Sequence, residues 1–180
     1  MVNLDQIREA HKRISPYIHH TPLLLSNYLS ENRNVYLKLE SLQITGSFKL
    51  RGATNKLLSL NKEQKKNGVI AVSTGNHGKG VAYASKQLNI QSTIFMSSMV
   101  PDHRRKAIES LGAKVEIVGT NSDEADLYAR EYSKKNNIPL IHPFDDPMVI
   151  AGQGTIGLEM LESLPEVDTV IIPTSGGGLI

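Results

Sequence analysis

Residues 68–96 read GVIAVSTGNHGKGVAYASKQLNIQSTIFM, and three patterns succeed one another within them. GVIAVS, 68–73, is a short apolar run with the length and composition of a buried strand. GNHGKGVAYASKQL, 75–88, opens on glycine and continues as a helix. STIFM, 92–96, is a second apolar strand. Strands that alternate with helices at this spacing form a parallel sheet, because a tight turn cannot return the chain to the same end. Ligands in such sheets gather at the carboxyl ends of the strands, so STGNHG, 73–78, becomes a candidate binding loop.

The alternation continues toward the C-terminus. PDHRRKAIESLG, 101–112, reads as a helix with Pro101 in its first turn and Gly112 just past its end. AKVEIV, 113–118, is a strand, and SDEADLYAREYSKKN, 122–136, a helix for which Ser122 is the expected cap. IPLIH, 138–142, is a short strand, and PMVIAGQGTIGLEMLESL, 147–164, contains another helix. DTVIIP, 168–173, is a continuously apolar strand running into TSGGGLI. Toward the N-terminus, NVYLKLE, 34–40, alternates like a strand with Val35, Leu37 and Leu39 on one face. A helical pattern starts at Ser47, its expected cap, and MVNLDQIREAHKRI, 1–14, is an amphipathic charged helix. The fold class is therefore α/β, with parallel sheets flanked by helices. A buried strand that ends in a glycine loop should feed a covering helix, so the chain is expected to be the first part of a longer protein.

Composition narrows the function. Of 180 residues, 39% are apolar and 21% charged, which supports a packed core and excludes a disordered chain. Net charge is +2, and the one tight basic run, Lys62–Lys66, is broken by Glu63 and Gln64. With no tryptophan and 5% aromatics, a nucleic-acid surface is not expected. No cysteine is present, so disulfides, thiolate–metal sites and a cysteine nucleophile are excluded. The six histidines show no i,i+4 ligand pairing, and no metal is expected. A cleavable leader and a membrane span are not visible either, and a cytoplasmic location is the expectation.

Three stretches carry chemistry. In TGSFKLRGA, 45–53, one lysine, Lys49, sits among Gly46, Ser47, Gly52 and Ala53 with Phe48 beside it. An amine in a desolvated pocket has a lowered pKa and becomes a nucleophile toward carbonyls. SGGGL, 175–179, follows the expected strand 168–173; its glycines let backbone N–H groups converge on a phosphate. STGNHG offers Ser73, Thr74, Asn76 and His77 over further N–H groups, a nest suited to a small carboxylate. GQGTIG, 152–157, matches a dinucleotide fingerprint, yet no strand precedes it and no acid follows at the required distance, so its glycines are read as helix-packing positions.

Lysine, nest and phosphate loop, in the order KLESLQITGSFKLRGA, STGNHGKGVAYA, PFDDPMVIAGQGTIGLE, IIPTSGGGL, resemble the fold-type II pyridoxal-phosphate enzymes. More narrowly they resemble the threonine/serine dehydratase and serine racemase branch, from about Thr21 onward. SGGGL and STGNHG, with VPDHRRKAIESLGAKV, are also similar to dehydratases of hydroxyectoine breakdown. The resemblance implies a tryptophan-synthase-β-like, two-domain architecture: 1–49 as the N-terminal part of a large domain, 50–145 as a small domain, and 146–180 as the return into the large domain, which would be incomplete. It implies a homo-oligomer (dimer or tetramer) acting on a small amino acid.

The resemblance also assigns roles. Lys49 would form a Schiff base with pyridoxal 5′-phosphate and move the Cα proton. Phe48 would pack near the ring and Asn76 would bond its 3′-oxygen. Ser175, Gly176, Gly177, Gly178 and Leu179 would hold the phosphate, and Ser73, Thr74, Asn76 and His77 would receive the substrate carboxylate. Ser175 stands where the family commonly has a first glycine. Thr74 stands where racemase relatives carry a serine, so it becomes a second catalytic candidate. The implied reaction is loss of the β-hydroxyl of L-threonine or L-serine, giving a 2-oxo acid and ammonia. An amino-acid racemase on the same site and a catalytically inert N-terminal fragment are the alternatives.

Overall fold

The structure, a computed structural model, describes residues 1–174 and 177–180. Its centre is a parallel sheet of β3 (Val69–Val72), β4 (Ser92–Met96) and β5 (Lys114–Ile117), in that order. On the free side of β3 the chain returns at 138–141, where the expected strand contracts to a single parallel bridge between Ile70 and Leu140. Ile70 N bonds Pro139 O at 2.9 Å and Ile141 N bonds Ile70 O at 2.8 Å.

Strand periodicity sorts the core into two faces. Val69, Ala71, Ile94 and Met96 point to one side and join Leu50, Leu57, Val81 and Ile108 from α2 (Lys49–Ser59), α4 (Asn76–Gln87) and α5 (Asp102–Glu109). Ile70 and Phe95 point to the other, against Ala129 and Tyr132 of α6 (Ser122–Asn136). The Phe95 ring meets Tyr128 and Tyr132 edge-on, with centroids 5.2 and 5.4 Å apart.

A second group of elements packs on α2. Helix α7 (Pro147–Ser163) crosses it where two glycines meet: a Cβ on Gly152 would lie 2.6 Å from Gly52 Cα and 2.7 Å from Arg51 O. Gly154 admits Ile7 of α1 (Leu4–Ile14) in the same way. Thus Gly152 and Gly154 of GQGTIG are packing positions, whereas nothing approaches Gly157. An antiparallel ribbon of β1 (Leu23–Leu25) and β2 (Tyr36–Lys38) completes this group.

Several boundaries differ from expectation. Phe48, not Ser47, is the residue before α2, and the Ser47 hydroxyl is buried without a partner among the described residues. Asn121, not Ser122, caps α6, accepting from Asp123 N and Glu124 N. The amide reaches two N–H groups from one position earlier, the geometry a cap needs. In β2 Leu37 is 41% exposed while Lys38 turns inward, because a buried carboxylate awaits it there. Residues 168–173 form no strand: Ile171 is 91% exposed, and no ladder partner lies beside this segment among the described residues. An apolar run becomes a strand only where another strand takes its N–H and C=O groups.

Candidate active site

The carboxyl ends of β3 and of the parallel segment 138–141 lie side by side. A crevice opens at this end of the sheet, where ligands gather in parallel α/β folds. Its two walls are the loop 73–78, leading into α4, and the turn 142–146, leading into α7. His77 Nε2 lies 2.8 Å from Ile141 O and ties the walls together.

The third element is the first turn of α2. Gly80 makes it possible for α4 to lie against that turn: a Cβ there would be 3.2 Å from the backbone of Lys49 and Leu50. Lys49, first residue of the helix, reaches across so that its Nζ donates to Pro143 O at 2.6 Å. The Phe48 ring centroid lies 5.1 Å from the same nitrogen. Burial lowers the Lys49 pKa below its ordinary value. No carboxylate forms an ion pair with this amine among the described residues, so no negative charge holds the proton on it.

Gly178 comes to the amine as well. A Cβ on it would stand 3.2 Å from Lys49 Nζ and 2.7 Å from Phe144 Cβ, and Gly177 has φ +75°, where L side chains are strained. Only a bare backbone fits between the lysine and the turn. Of the expected phosphate loop, Gly177, Gly178 and Leu179 can be placed; Ser175 and Gly176 lie outside the described residues.

Two side chains of loop 73–78, Ser73 and His77, are engaged within the protein, while Asn76 is exposed and Thr74 half-buried. Ser73 Oγ accepts from Gly78 N at 2.8 Å and from Gly75 N at 3.2 Å, so this hydroxyl is spent on shaping the loop. The His77 ring is buried against Ile141, not turned to the crevice. Among the described residues, no acceptor meets the backbone N–H groups of Thr74, Asn76 and His77. They stand at the positive end of α4, the arrangement that receives a carboxylate or phosphate.

Burial lowers the His77 pKa to about 4, against the bond to Ile141 and with help from the charges of Lys49 and His142. Unfolded, this imidazole titrates near 6.5. Above that value both states are neutral and stability is complete. As pH falls from about 6.5 to 4 only the unfolded chain takes up the proton, so stability falls, by about 3 kcal/mol in all. Urea unfolding at pH 7, 5.5 and 4 checks this: a His77→Gln variant is expected to lose that part of the acid dependence.

Sequence reasoning missed an ion cluster around Arg51, two residues after the lysine. Arg51 is 0% exposed and Glu159 1%. The guanidinium bonds both oxygens of Glu40, at 2.9 Å each, and both of Glu159, at 2.6 and 2.8 Å. Lys38 Nζ joins Glu159 and Thr21 O, closing a neutral group of two cations and two anions. Burial opposes its charge, but the hydrogen bonds from Arg51 and Lys38 hold the Glu159 carboxyl below the usual range. A signal was available: Glu159 falls on the buried small-residue stripe of α7, with Gly152 and Thr155.

The crevice suits an aldehyde cofactor with an anionic tail: a desolvated amine, an aromatic wall, a backbone cradle that a Cβ would fill, and free N–H groups. Among the described residues no group of three or more His, Cys, Asp or Glu could hold a metal ion, and no helix is long and apolar enough to cross a membrane.

Comparison with known proteins gives the same picture. A family model described as "Pyridoxal-phosphate dependent enzyme" matches residues 14–180. The catabolic L-threonine dehydratase TdcB of Staphylococcus aureus is 50% identical over 183 aligned positions, covering all of this chain and 53% of that protein. The chain thus spans about half the length of the curated relatives it matches. The structure of maize serine racemase aligns at TM-score 0.94 and 36% identity, over 99% of this chain and 55% of that one. Threonine deaminase isoform 2 of Solanum lycopersicum aligns at TM-score 0.91 and 40% identity, over 98% and 51%.

Proposed function

We infer the reaction from one premise: this chain belongs to the pyridoxal-phosphate-dependent enzyme family. We propose that the whole protein is a dehydratase converting a β-hydroxy amino acid, L-threonine or L-serine, to a 2-oxo acid and ammonia. Half identity to an L-threonine dehydratase along the entire chain is the observation that carries this choice. Within it, 50–145 serves as the small domain and the flanking segments belong to a large one. The resemblance supports a homo-oligomer, and the cytoplasm is the location this reading assigns it.

In this reading Lys49 Nζ holds the cofactor's aldehyde, and Phe48 lines the ring. Asn76 bonds the ring's 3′-oxygen, and Gly177, Gly178 and Leu179, continuing from Ser175 and Gly176, receive the phosphate on backbone N–H groups. When bound, the cofactor supplies an electron sink for the pair left at Cα. The N–H groups of Thr74, Asn76 and His77 grip the substrate carboxylate and so orient the Cα–H bond toward Lys49. Ser73 acts through the loop it braces, and His77 through its N–H and its tie to Ile141. The substrate's own amine would take the place of Lys49 on the aldehyde, and the freed Lys49 amine, its pKa lowered by burial and without a carboxylate partner among the described residues, would take the Cα proton.

A second reading, amino-acid racemase on the same site, is favoured by Thr74, which stands two residues before α4 and keeps a hydroxyl where racemase relatives carry a serine. Supplying L-threonine and L-serine to the full-length holoenzyme and measuring 2-oxo acid, ammonia and D-amino acid separates the two. The proposal expects stoichiometric 2-oxo acid and ammonia. D-serine without pyruvate would replace it with the racemase.

A further inference from the structure

The turn 142–146 is built on a histidine used as an acceptor. His142 Nδ1 lies 2.8 Å from Asp145 N and 3.3 Å from Phe144 N, so it accepts from both and must carry no proton. The role is the one an Asn or Asp side chain plays when it accepts from the backbone two and three residues on. The ring also meets Phe144 edge-on, with centroids 4.7 Å apart. Between these residues stands Pro143, whose carbonyl accepts from Lys49 Nζ. The segment is pinned at both ends. Ile141 is bonded to Ile70 and His77, and Asp146 caps α7 through Met148 N and Val149 N and pairs with Lys56 at 2.6 Å. Between these ends the turn is held by the imidazole, which takes two N–H groups, and by one backbone bond, from Asp146 N to Phe144 O at 3.1 Å.

We propose that neutral His142 is a positioning residue for Lys49: its Nδ1 holds the turn that presents the Pro143 carbonyl to the amine, and its protonation releases that turn. The inference rests on the reading of Lys49 as the cofactor lysine. A proton on Nδ1 turns an acceptor of two N–H groups into a donor facing them, and both bonds are lost at once.

The charged and titratable groups around His142 are Arg130, Asp126 and Asp123 on α6, Asp145 and Asp146 on its own segment, and His77 on α4. Lys49 of α2 follows one residue on. Burial and then Arg130 push the His142 pKa below its ordinary 6.5, against the three carboxylates Asp145, Asp126 and Asp146. The turn is therefore closed at neutral pH and opens on the acid side.

Two variants of the full-length protein test this. His142→Asn keeps an acceptor for the same N–H groups and does not titrate in acid. His142→Phe keeps an aromatic ring and removes the acceptor. In cofactor-free protein with isotopically dimethylated lysines, the Lys49 resonance (assigned by its loss in Lys49→Arg) should shift in step with His142 titration. That step should vanish in His142→Asn. In the holoenzyme kcat/KM should fall with His142 protonation, by about tenfold per pH unit below its pKa. At pH 8 His142→Asn should exceed His142→Phe by about tenfold or more, a rescue expected of a restored acceptor.

Persistence of the acid step of Lys49 in His142→Asn, or its absence in the unmodified protein, overturns the inference. Equal kcat/KM for the two variants at pH 8 does so as well. Should His142→Phe not fold, the comparison of His142→Asn with the parent still decides. Failure of the Lys49 reading looks different: Lys49→Ala would keep the cofactor's bound spectrum while the resonance coupling persisted.

Discussion

Replacing Lys49 by alanine is expected to abolish the covalently bound cofactor spectrum and to lower turnover by about a thousandfold or more, the combined loss of nucleophile and proton carrier. The fold should survive. Lys49 is the first residue of α2, its side chain is half-buried, and among the described residues its amine makes one hydrogen bond, to Pro143 O. Burial opposes its charge, so removing it relieves a cost and thermal stability should be unchanged or slightly raised. A variant that unfolds would show instead that the lysine is a structural bridge between α2 and the turn 142–146. Absorbance, far-UV circular dichroism and product formation on one preparation distinguish these outcomes.

The second large effect lies two residues on, at Arg51 on the far side of α2. Arg51→Met is expected to destabilise the protein by about 3–5 kcal/mol, because it strands two carboxylates, one of them fully buried, with Lys38 alone to answer them. Arg51→Lys should lie between, since an ammonium cannot bond Glu40 and Glu159 bidentately at once. Converting all four members, Arg51, Lys38, Glu40 and Glu159, to apolar residues of similar volume should recover much of the loss, because no charge is then left buried alone. Urea unfolding midpoints at pH 7.5 read all three. The cluster joins β2, α2 and α7 two residues from Lys49, so cofactor affinity should follow the same order. Equal stability of Arg51→Met and the parent would mean that packing alone positions α2.

What the sequence disclosed follows from which forces are local. The parallel sheet was readable because Val69–Val72 and Ser92–Met96 are apolar runs that helices of the right length separate, a pattern carried by adjacent residues. Lys49 stands out as a candidate for a similar reason: its small neighbours and Phe48 are contiguous with it. The Arg51 cluster was not. Its partners stand 11 and 108 residues away, and only folding reveals that Glu159 and Arg51 share one buried point. His77 was recognised as a loop residue, but its inward turn depends on Ile141, which reaches it only through the bridge at Leu140. The turn at His142 escaped notice because a histidine accepting two backbone N–H groups has no compositional mark. Residues 168–173 failed in the opposite sense, an apolar run without a pairing strand beside it.

The central claim concerns a single nitrogen, and reduction with borohydride followed by peptide mapping tests it without any assumption about substrate. On the full-length protein with bound pyridoxal phosphate, the account predicts one stable pyridoxyl group, carried by the peptide that contains Lys49. The same group on another lysine, with the Lys49 peptide unmodified, would contradict it.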